Sequence, residues 1–130
     1  MSLQERMREM FSRMVEAKDA SLVDTYYDPD FRMITNGQEQ DLAEFRAGHA
    51  RVYPTSITYR VEYDDDGWVE SGNRLAARVW ITVQRPGERA TRIEVVLVAE
   101  YRDGKLLWLK EVTCPDWSRL SAFDEYGGPG

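Results

Sequence analysis

The chain has 130 residues, 42% of them hydrophobic, a net charge of −6 at pH 7 and one cysteine. This length and composition predict a single domain that buries its own core without disulfides, and the lone cysteine indicates a reducing cytoplasm. The acidic charge argues against nucleic-acid binding, and the lack of an apolar run of about 20 residues argues against a membrane span or a membrane partner.

Three helices are expected in the first half of the chain. From Leu3 to Lys18, apolar residues recur at steps of three and four, which is the pattern of a helix with one apolar face. A short second helix is expected over residues 19–27, and a third over 41–53. The third begins with a capping-box pattern, in which the side chains of Asp41 and Glu44 would each accept a hydrogen bond from the other's backbone.

The second half of the chain carries the period-two pattern of β-strands. Apolar residues alternate with polar ones along several segments that turn signals separate. The predicted strands are 31–35, 57–63, 68–70, 74–83, 89–102 and 105–114. Helices followed by long strands predict an α+β domain, with three N-terminal helices packed on a curved antiparallel sheet. We expect this domain to occupy residues 1–117, with a partly disordered tail over 118–130.

Several short motifs are similar to those of one protein superfamily. They are the segment Tyr26-Tyr27-Asp28-Pro29-Asp30-Phe31, the turn Asn36-Gly37, a capped helix containing Phe45, and the hairpin Asp103-Gly104-Lys105-Leu106. Together with the order of elements, they resemble the nuclear transport factor 2-like superfamily, and within it the SnoaL-like polyketide cyclases, ketosteroid isomerases and limonene epoxide hydrolases. The resemblance implies a cystatin-like conical barrel, a pocket between the sheet and the helices, and frequent dimerisation through the outer sheet face.

The same resemblance can be followed at the positions that act in the epoxide hydrolases. Glu111 falls where those enzymes place a catalytic aspartate. Met33 and Thr35 fall where they place a tyrosine and an asparagine, and Val79 and Ile81 fall where they place an arginine and a second aspartate. Because only one of these positions keeps an acid, epoxide hydrolysis by that route is not expected.

Glu111 and His49 are the candidate catalytic residues. If Glu111 faces the pocket, desolvation would raise its pKa and suit it to acid–base chemistry near neutral pH. The alternation along this strand also allows the opposite orientation, in which Glu111 faces outward and pairs with an arginine. His49 is the one histidine of the chain and lies on the inward face of the third helix. It is either a core residue or a proton-transfer partner of Glu111.

The remaining inward positions predict a mostly apolar pocket wall. A tyrosine there could donate a hydrogen bond to a developing oxyanion or simply belong to the core. The expected ligand-binding residues are Tyr27, Met33, Thr35, Phe45, Tyr53, Val79, Ile81, Ile93, Val95, Leu97, Leu109 and Thr113. Their apolar character favours a domain that binds a small apolar molecule without transforming it. The alternatives are a cofactor-independent isomerase, lyase or cyclase that uses Glu111 with His49, and a dimeric scaffold.

The sequence predicts neither a metal site nor a cofactor. One histidine and one cysteine cannot supply a zinc ligand set. The acidic segment 64–67 resembles the start of a calcium loop, but no glutamate ligand follows at the spacing that such a loop requires. The chain also lacks a glycine-rich phosphate loop, so no nucleotide cofactor is expected.

The outward positions of the long strands are unusually apolar for a solvated face. They include the side chains of Arg78, Trp80, Glu94, Val96, Val98, Trp108 and Val112. Tryptophan and arginine are enriched at the cores of protein interfaces. We therefore expect a homodimer that forms through this outer sheet face.

Overall fold

The computed structural model describes residues 1–116 of the chain. The predicted end of the domain at residue 117 and the predicted tail over 118–130 lie outside the described residues. The helices are α1 (Leu3–Met10), α2 (Val23–Tyr26) and α3 (Leu42–Val52). The strands are β1 (Tyr27–Thr35), β2 (Gln38–Asp41), β3 (Thr58–Tyr63), β4 (Val69–Ser71), β5 (Arg74–Gln84), β6 (Thr91–Arg102) and β7 (Lys105–Cys114).

The helical predictions are confirmed over most of their length. α1 continues into a π-helical segment over Phe11–Glu16, and a 3₁₀ turn over Ala20–Leu22 leads into α2. The capping box of α3 is present, because Glu44 N donates to Asp41 Oδ1 at 2.9 Å and Asp41 N donates to Glu44 Oε1 at 3.3 Å. The second helix ends at Tyr26, one residue earlier than expected, because β1 begins at Tyr27.

The seven strands form one open sheet with the order β2-β1-β7-β6-β5-β3, and β4 pairs with β5. This is the α+β architecture that the sequence predicts, with the helices packed on a curved sheet. One detail differs from the expected antiparallel barrel. β1 runs parallel to β7, so the sheet is mixed, and its edges β2 and β3 do not meet. A parallel pair requires a long crossover, which here contains α3 and the strands β3 to β6.

β2 is a strand that the sequence pattern does not reveal. Its residues Gln38–Asp41 are all polar and show no alternation. The strand forms because the predicted turn at Asn36 and Gly37 folds it back on β1. Both turn residues have positive φ angles, 50° and 84°, which suit a two-residue hairpin connection.

A β-bulge at Leu107 decides which side chains of β7 face the helices. The register between β6 and β7 shifts at this point, so the alternation restarts after the extra residue. Leu106 and Leu109 are therefore both buried, although they lie three residues apart. Beyond the bulge, Glu111 lies on the same face as Leu109, whereas Val112 points outward and is 61% exposed.

Asp28 joins the start of β1 to the hairpin between β6 and β7. Its buried carboxylate accepts hydrogen bonds from Arg102 Nε at 3.0 Å and Arg102 Nη2 at 2.6 Å. It also accepts from the backbone N–H of Asp30 at 2.9 Å, which forms the turn around Pro29. The hydrogen bonds from Arg102 and from Asp30 lower the pKa of Asp28, because they favour the charged form.

The substitution Asp28→Asn is expected to destabilise the fold in a pH-dependent way. A carboxylate with a lowered pKa contributes stability that is present above its unfolded-state pKa of about 3.8 and is lost as the pH falls through the folded-state value. The free energy of unfolding of the variant should therefore fall below that of the wild type at neutral pH, and the difference should shrink on acidification. Urea unfolding at neutral pH and near pH 3 measures both values.

The exposed turn residue Asp66 provides the matched control. Asp66→Asn changes the charge by the same amount and should leave the free energy of unfolding almost unaltered at both pH values. A difference between wild type and Asp28→Asn that is equally large in acid would show that the ionised pair with Arg102 is not its source.

Candidate functional site

A cavity of about 80 Å³ lies between the sheet and the helical segments. Ligand pockets for drug-sized molecules typically measure about 300–1,000 Å³, so this one suits a small molecule or a small part of one. Its wall consists of side chains from the first helical region, α3 and five of the strands. The lining residues are Met10, Phe11, Val15, Tyr27, Met33, Thr35, Gln40, Phe45, His49, Tyr53, Tyr59, Ile81, Leu109 and Glu111.

Most of the residues expected at the pocket do line this cavity. The structure brings together Glu111, His49, Tyr27, Met33, Thr35, Phe45, Tyr53, Ile81 and Leu109. Val79, Ile93, Val95 and Leu97 do not line it, because they are buried among other side chains of the core. Thr113 does not line it either, and its hydroxyl and backbone are hydrogen-bonded to Asn36 at the end of the β1–β7 pair.

Five lining residues were not among the expected ligand-binding residues. Met10, Phe11 and Val15 belong to the apolar stripe of the first predicted helix, but the stripe does not distinguish a cavity wall from ordinary core. Gln40 lies on β2, whose sequence carries no strand pattern. Tyr59 shows the alternation of a buried strand residue, which is also typical of core.

Glu111 is the acidic residue of the cavity wall. Thr35 Oγ1 donates a hydrogen bond to Glu111 Oε1 at 3.0 Å, across the last pair of the parallel β1–β7 ladder. Burial raises the pKa of Glu111 to about 7, while the hydrogen bond from Thr35 lowers it. A carboxyl group in this range can accept and return a proton at neutral pH.

His49 faces the same cavity as an uncharged ring. Its Nδ1 lies 2.9 Å from the carbonyl oxygen of Phe45, and a carbonyl can only accept, so Nδ1 carries the proton. Burial lowers the pKa of His49 to about 4, although the hydrogen bond to Phe45 raises it. Nε2 is therefore left as a hydrogen-bond acceptor at physiological pH.

The expected pairing of Glu111 with His49 is not a direct contact. Both side chains line the cavity, but no hydrogen bond between them is present among residues 1–116. Their pKa values are shifted by burial and by other partners, Thr35 for Glu111 and Phe45 for His49. A molecule bound in the cavity would be needed to connect the two groups.

Two tyrosines add hydrogen-bond donors to the wall. The hydroxyl of Tyr53 is buried and has no hydrogen-bond partner in the described part of the chain. Within residues 1–116, the hydroxyl of Tyr27 donates only to Met10 Sδ at 3.5 Å, and a thioether is a weak acceptor. Burial raises the pKa of both phenols, so both keep their protons. An acceptor oxygen on a ligand would satisfy either donor better than the free protein does.

The described residues 1–116 contain neither a cluster of metal-ligating side chains nor a helix of membrane-spanning character. No group of three or more His, Cys, Asp or Glu side chains lies close enough together to hold a metal ion. No helix in this part of the chain combines the length and the apolar character that crossing a bilayer would require.

Comparisons with known proteins agree with this architecture. The family model of the SnoaL-like domain matches residues 7–108. An uncharacterized protein of Schizosaccharomyces pombe is 24% identical over 108 residues, which cover 82% of each chain. The structure of PrhC from Penicillium brasilianum has a TM-score of 0.71 at 13% identity, covering 86% of this chain and 82% of PrhC. An LEH-like epoxide hydrolase of M. tuberculosis has a TM-score of 0.70 at 16% identity, covering 85% and 83%.

The substitution Glu111→Gln is expected to stabilise the protein above neutral pH. Because the folded-state pKa is raised to about 7, ionising Glu111 costs free energy in the folded state but not in the unfolded chain. The cost is absent below the unfolded-state pKa and complete above the folded-state pKa, where it reaches about 3 kcal/mol. Urea unfolding of both proteins near pH 4 and near pH 8 measures the gain.

The control is Glu39→Gln, a substitution at an exposed residue of β2. It should leave the pH dependence of the free energy of unfolding as it is in the wild type. If Glu111→Gln gave the same free-energy change near pH 4 and near pH 8, the carboxyl group would not be desolvated in solution.

Proposed function

The chain belongs to the SnoaL-like domain family, within the nuclear transport factor 2-like fold, and we propose that it binds a small, mostly apolar molecule and transfers a proton on it through Glu111. It would thus act as a cofactor-independent isomerase, lyase or cyclase. The observation that carries the proposal is a carboxyl group that is hydrogen-bonded to Thr35 in the wall of a cavity that is otherwise mainly apolar.

The surroundings of Glu111 support a role in proton transfer. Burial disfavours its charged form, so the ionised carboxylate is a stronger base than an exposed glutamate. Thr35 donates to the same carboxyl group and fixes its orientation at the cavity wall. The two residues form a pair of convergent polar groups within hydrogen-bond reach, which is typical of a reactive site.

The hydroxyl groups of Tyr27 and Tyr53 in the cavity wall favour a substrate that carries an oxygen acceptor. Removal of a proton next to a carbonyl group places negative charge on the carbonyl oxygen. The unpaired hydroxyl of Tyr53 could donate to that oxygen, and a preformed donor of this kind stabilises a transition state. We therefore propose a small carbonyl compound as the substrate class, with apolar carbon atoms against Met33, Phe45 and Leu109.

A non-catalytic binding domain is the second candidate. The small volume of the cavity and its mainly apolar wall favour it, because few groups are available for chemistry. In that case Glu111 would contribute to the affinity for the ligand but would not accelerate any reaction. A dimeric scaffold is the third candidate and would require no ligand.

We also infer that the protein works in the reducing cytoplasm. Cys114 is a free, exposed thiol. Secreted domains of this size usually carry cysteines in pairs as disulfides, whereas an unpaired exposed thiol is typical of a reducing compartment.

A base-catalysed probe reaction tests the proton transfer. Nitrobenzisoxazole is a small aromatic molecule whose ring opens, with a change in absorbance, when a base removes its C–H proton. We expect the wild type to accelerate this reaction over buffer with a rate that rises through a midpoint near pH 7, and Glu111→Gln to reduce the rate by about 100-fold. Tyr53→Phe should reduce the rate by about 10-fold. Negative charge develops on the ring oxygen of the probe as the ring opens, and the variant lacks the hydroxyl that would donate a hydrogen bond to it.

The control is again Glu39→Gln, which removes an exposed carboxylate of β2 and should keep the full rate. Equal rates for the wild type and Glu111→Gln on both sides of neutrality would contradict proton transfer by Glu111. Binding of the probe to both proteins without any acceleration would favour the binding domain instead.

We further propose that the outer face of the sheet forms a homodimer. Val96, Val98 and Val112 are between 43% and 61% exposed on this face. The rings of Trp80 and Trp108 lie beside them, and each is covered by cationic side chains from the same sheet. The valines and tryptophans form a patch in which apolar side chains are interspersed with charged ones, and exposed apolar groups beside tryptophan and arginine are characteristic of an interface core.

Val98→Glu is expected to prevent this dimer from forming. A charge at the centre of the patch would be buried without a partner in the interface. Analytical ultracentrifugation at micromolar concentration should show a dimer for the wild type and a monomer for the variant. Ala47→Glu, at an exposed position of α3, is the control and should remain dimeric. A monomeric wild type at this concentration would contradict the proposal.

A further inference from the structure

We propose that Asn36 is a positioning residue for Glu111: its side chain fixes the end of the parallel β1–β7 ladder and so holds the Glu111 carboxyl group in the cavity. The hydrogen bonds of Asn36 would hold Glu111 in this way whether or not Glu111 reacts with a substrate. Its catalytic consequence rests on the proposed function, because only a reacting Glu111 would need to be positioned.

The β6–β7 hairpin and its bulge set which face Glu111 occupies, but the pairing of Glu111 with Thr35 depends on the β1–β7 register, which no hairpin fixes. β1 and β7 are parallel and are separated in sequence by most of the domain. A slip of one residue between them would turn Thr35 toward the other face of the sheet and remove its hydrogen bond to Glu111. Thr35 and Glu111 are also the last pair of this ladder, at the end where the chain leaves for β2. Ladder ends open more readily than ladder centres.

Asn36 continues the ladder beyond the point where the backbone of β1 leaves it. Its backbone N–H donates to the carbonyl oxygen of Glu111 at 3.0 Å. Its side-chain Nδ2 donates to Thr113 Oγ1 at 2.8 Å, and its Oδ1 accepts from the backbone N–H of Thr113 at 2.8 Å. The amide group thus supplies the donor and the acceptor that a further strand residue would otherwise present to β7.

Asparagine suits this position for two reasons. The backbone of Asn36 has a φ angle of 50°, in the left-handed region that asparagine adopts more readily than most residues. Its planar amide also carries one donor group and one acceptor, whereas aspartate would only accept and a hydroxyl would be too short. The same residue can therefore turn the chain toward β2 and remain bonded to β7.

The two bonds to Thr113 lie two residues beyond Glu111 along β7. Glu111 is therefore held at its side chain by Thr35 and at its backbone by Asn36. The other titratable groups that face the cavity are His49 from α3 and the phenols of Tyr27, Tyr53 and Tyr59. The cavity wall formed by the described residues contains no Lys, Arg or Asp.

Because no opposite charge faces Glu111, its protonation is governed mainly by exclusion of water and by the hydrogen bond from Thr35. Loosening the ladder end would admit water to the carboxyl group and favour its charged form. Loss of the Asn36 side chain should therefore lower the pKa of Glu111 toward the ordinary value of a glutamate.

The test is Asn36→Gly, since glycine adopts the same positive φ angle without strain while losing both side-chain bonds. The carbon-13 titration of the Glu111 carboxyl group is the readout, and its midpoint should fall by about one pH unit. In the probe reaction the midpoint of the pH–rate profile should fall with it. Thr113→Val removes only the hydroxyl acceptor and should give a smaller shift in the same direction.

Asn73→Gly is the matched control, because it makes the same substitution in a turn outside the β1–β7 pair. It should leave the Glu111 midpoint unchanged. Circular dichroism at the titration temperature establishes that each variant is folded, and Thr113→Val serves as the test if Asn36→Gly does not fold.

An unchanged Glu111 midpoint in the folded Asn36 and Thr113 variants would overturn the inference. The proposed function fails separately, since it is contradicted if the wild type shows no probe turnover above that of Glu111→Gln. The carboxyl titrations would still decide whether Asn36 positions Glu111 in that case.

Discussion

The parallel pairing of β1 with β7 is the interaction on which the rest of the structure depends. It joins the helical half of the chain to the final strand, and it places Thr35 opposite Glu111. Asn36 holds one end of the pair by its bonds to Thr113, and at the other end Asp28 ties the start of β1 to Arg102, the last residue of β6. Between these contacts the cavity is bounded by apolar side chains from both strands. Fold and candidate site are therefore determined by the same register.

Local patterns were sufficient to predict most of the elements. The apolar stripe from Leu3 to Lys18, the capping box at Asp41 and the alternation along β5 all depend on neighbours within a few residues. β2 has no such signal, because a polar edge strand is stabilised by the turn at Asn36 and Gly37 and not by burial. The parallel register of β1 and β7 is also beyond a local pattern, since it joins segments separated by most of the domain.

The candidate site was predicted in part, and most of the errors have one physical origin. Alternation tells which face of a strand is inward, but it does not tell where the inward face is left uncovered by other side chains. Val79, Ile93, Val95 and Leu97 point inward and are covered by the core. For Glu111, alternation does not even tell which face of the sheet the side chain occupies, because both sets of alternate residues in β7 are mostly apolar. The bulge after Leu106 decides between the two orientations.

An open sheet has two edges, and the amide and carbonyl groups of an edge strand can pair with another chain. Here each edge has its own protection against such growth. β2 is four residues long and entirely polar, which disfavours pairing with a strand of another chain. At the opposite edge, the carboxylate of Glu16 accepts a hydrogen bond from the backbone N–H of Val61 at 2.9 Å, which occupies a free amide of β3. The π-helical segment that carries Glu16 therefore also lowers the tendency of this sheet to aggregate by edge-to-edge addition.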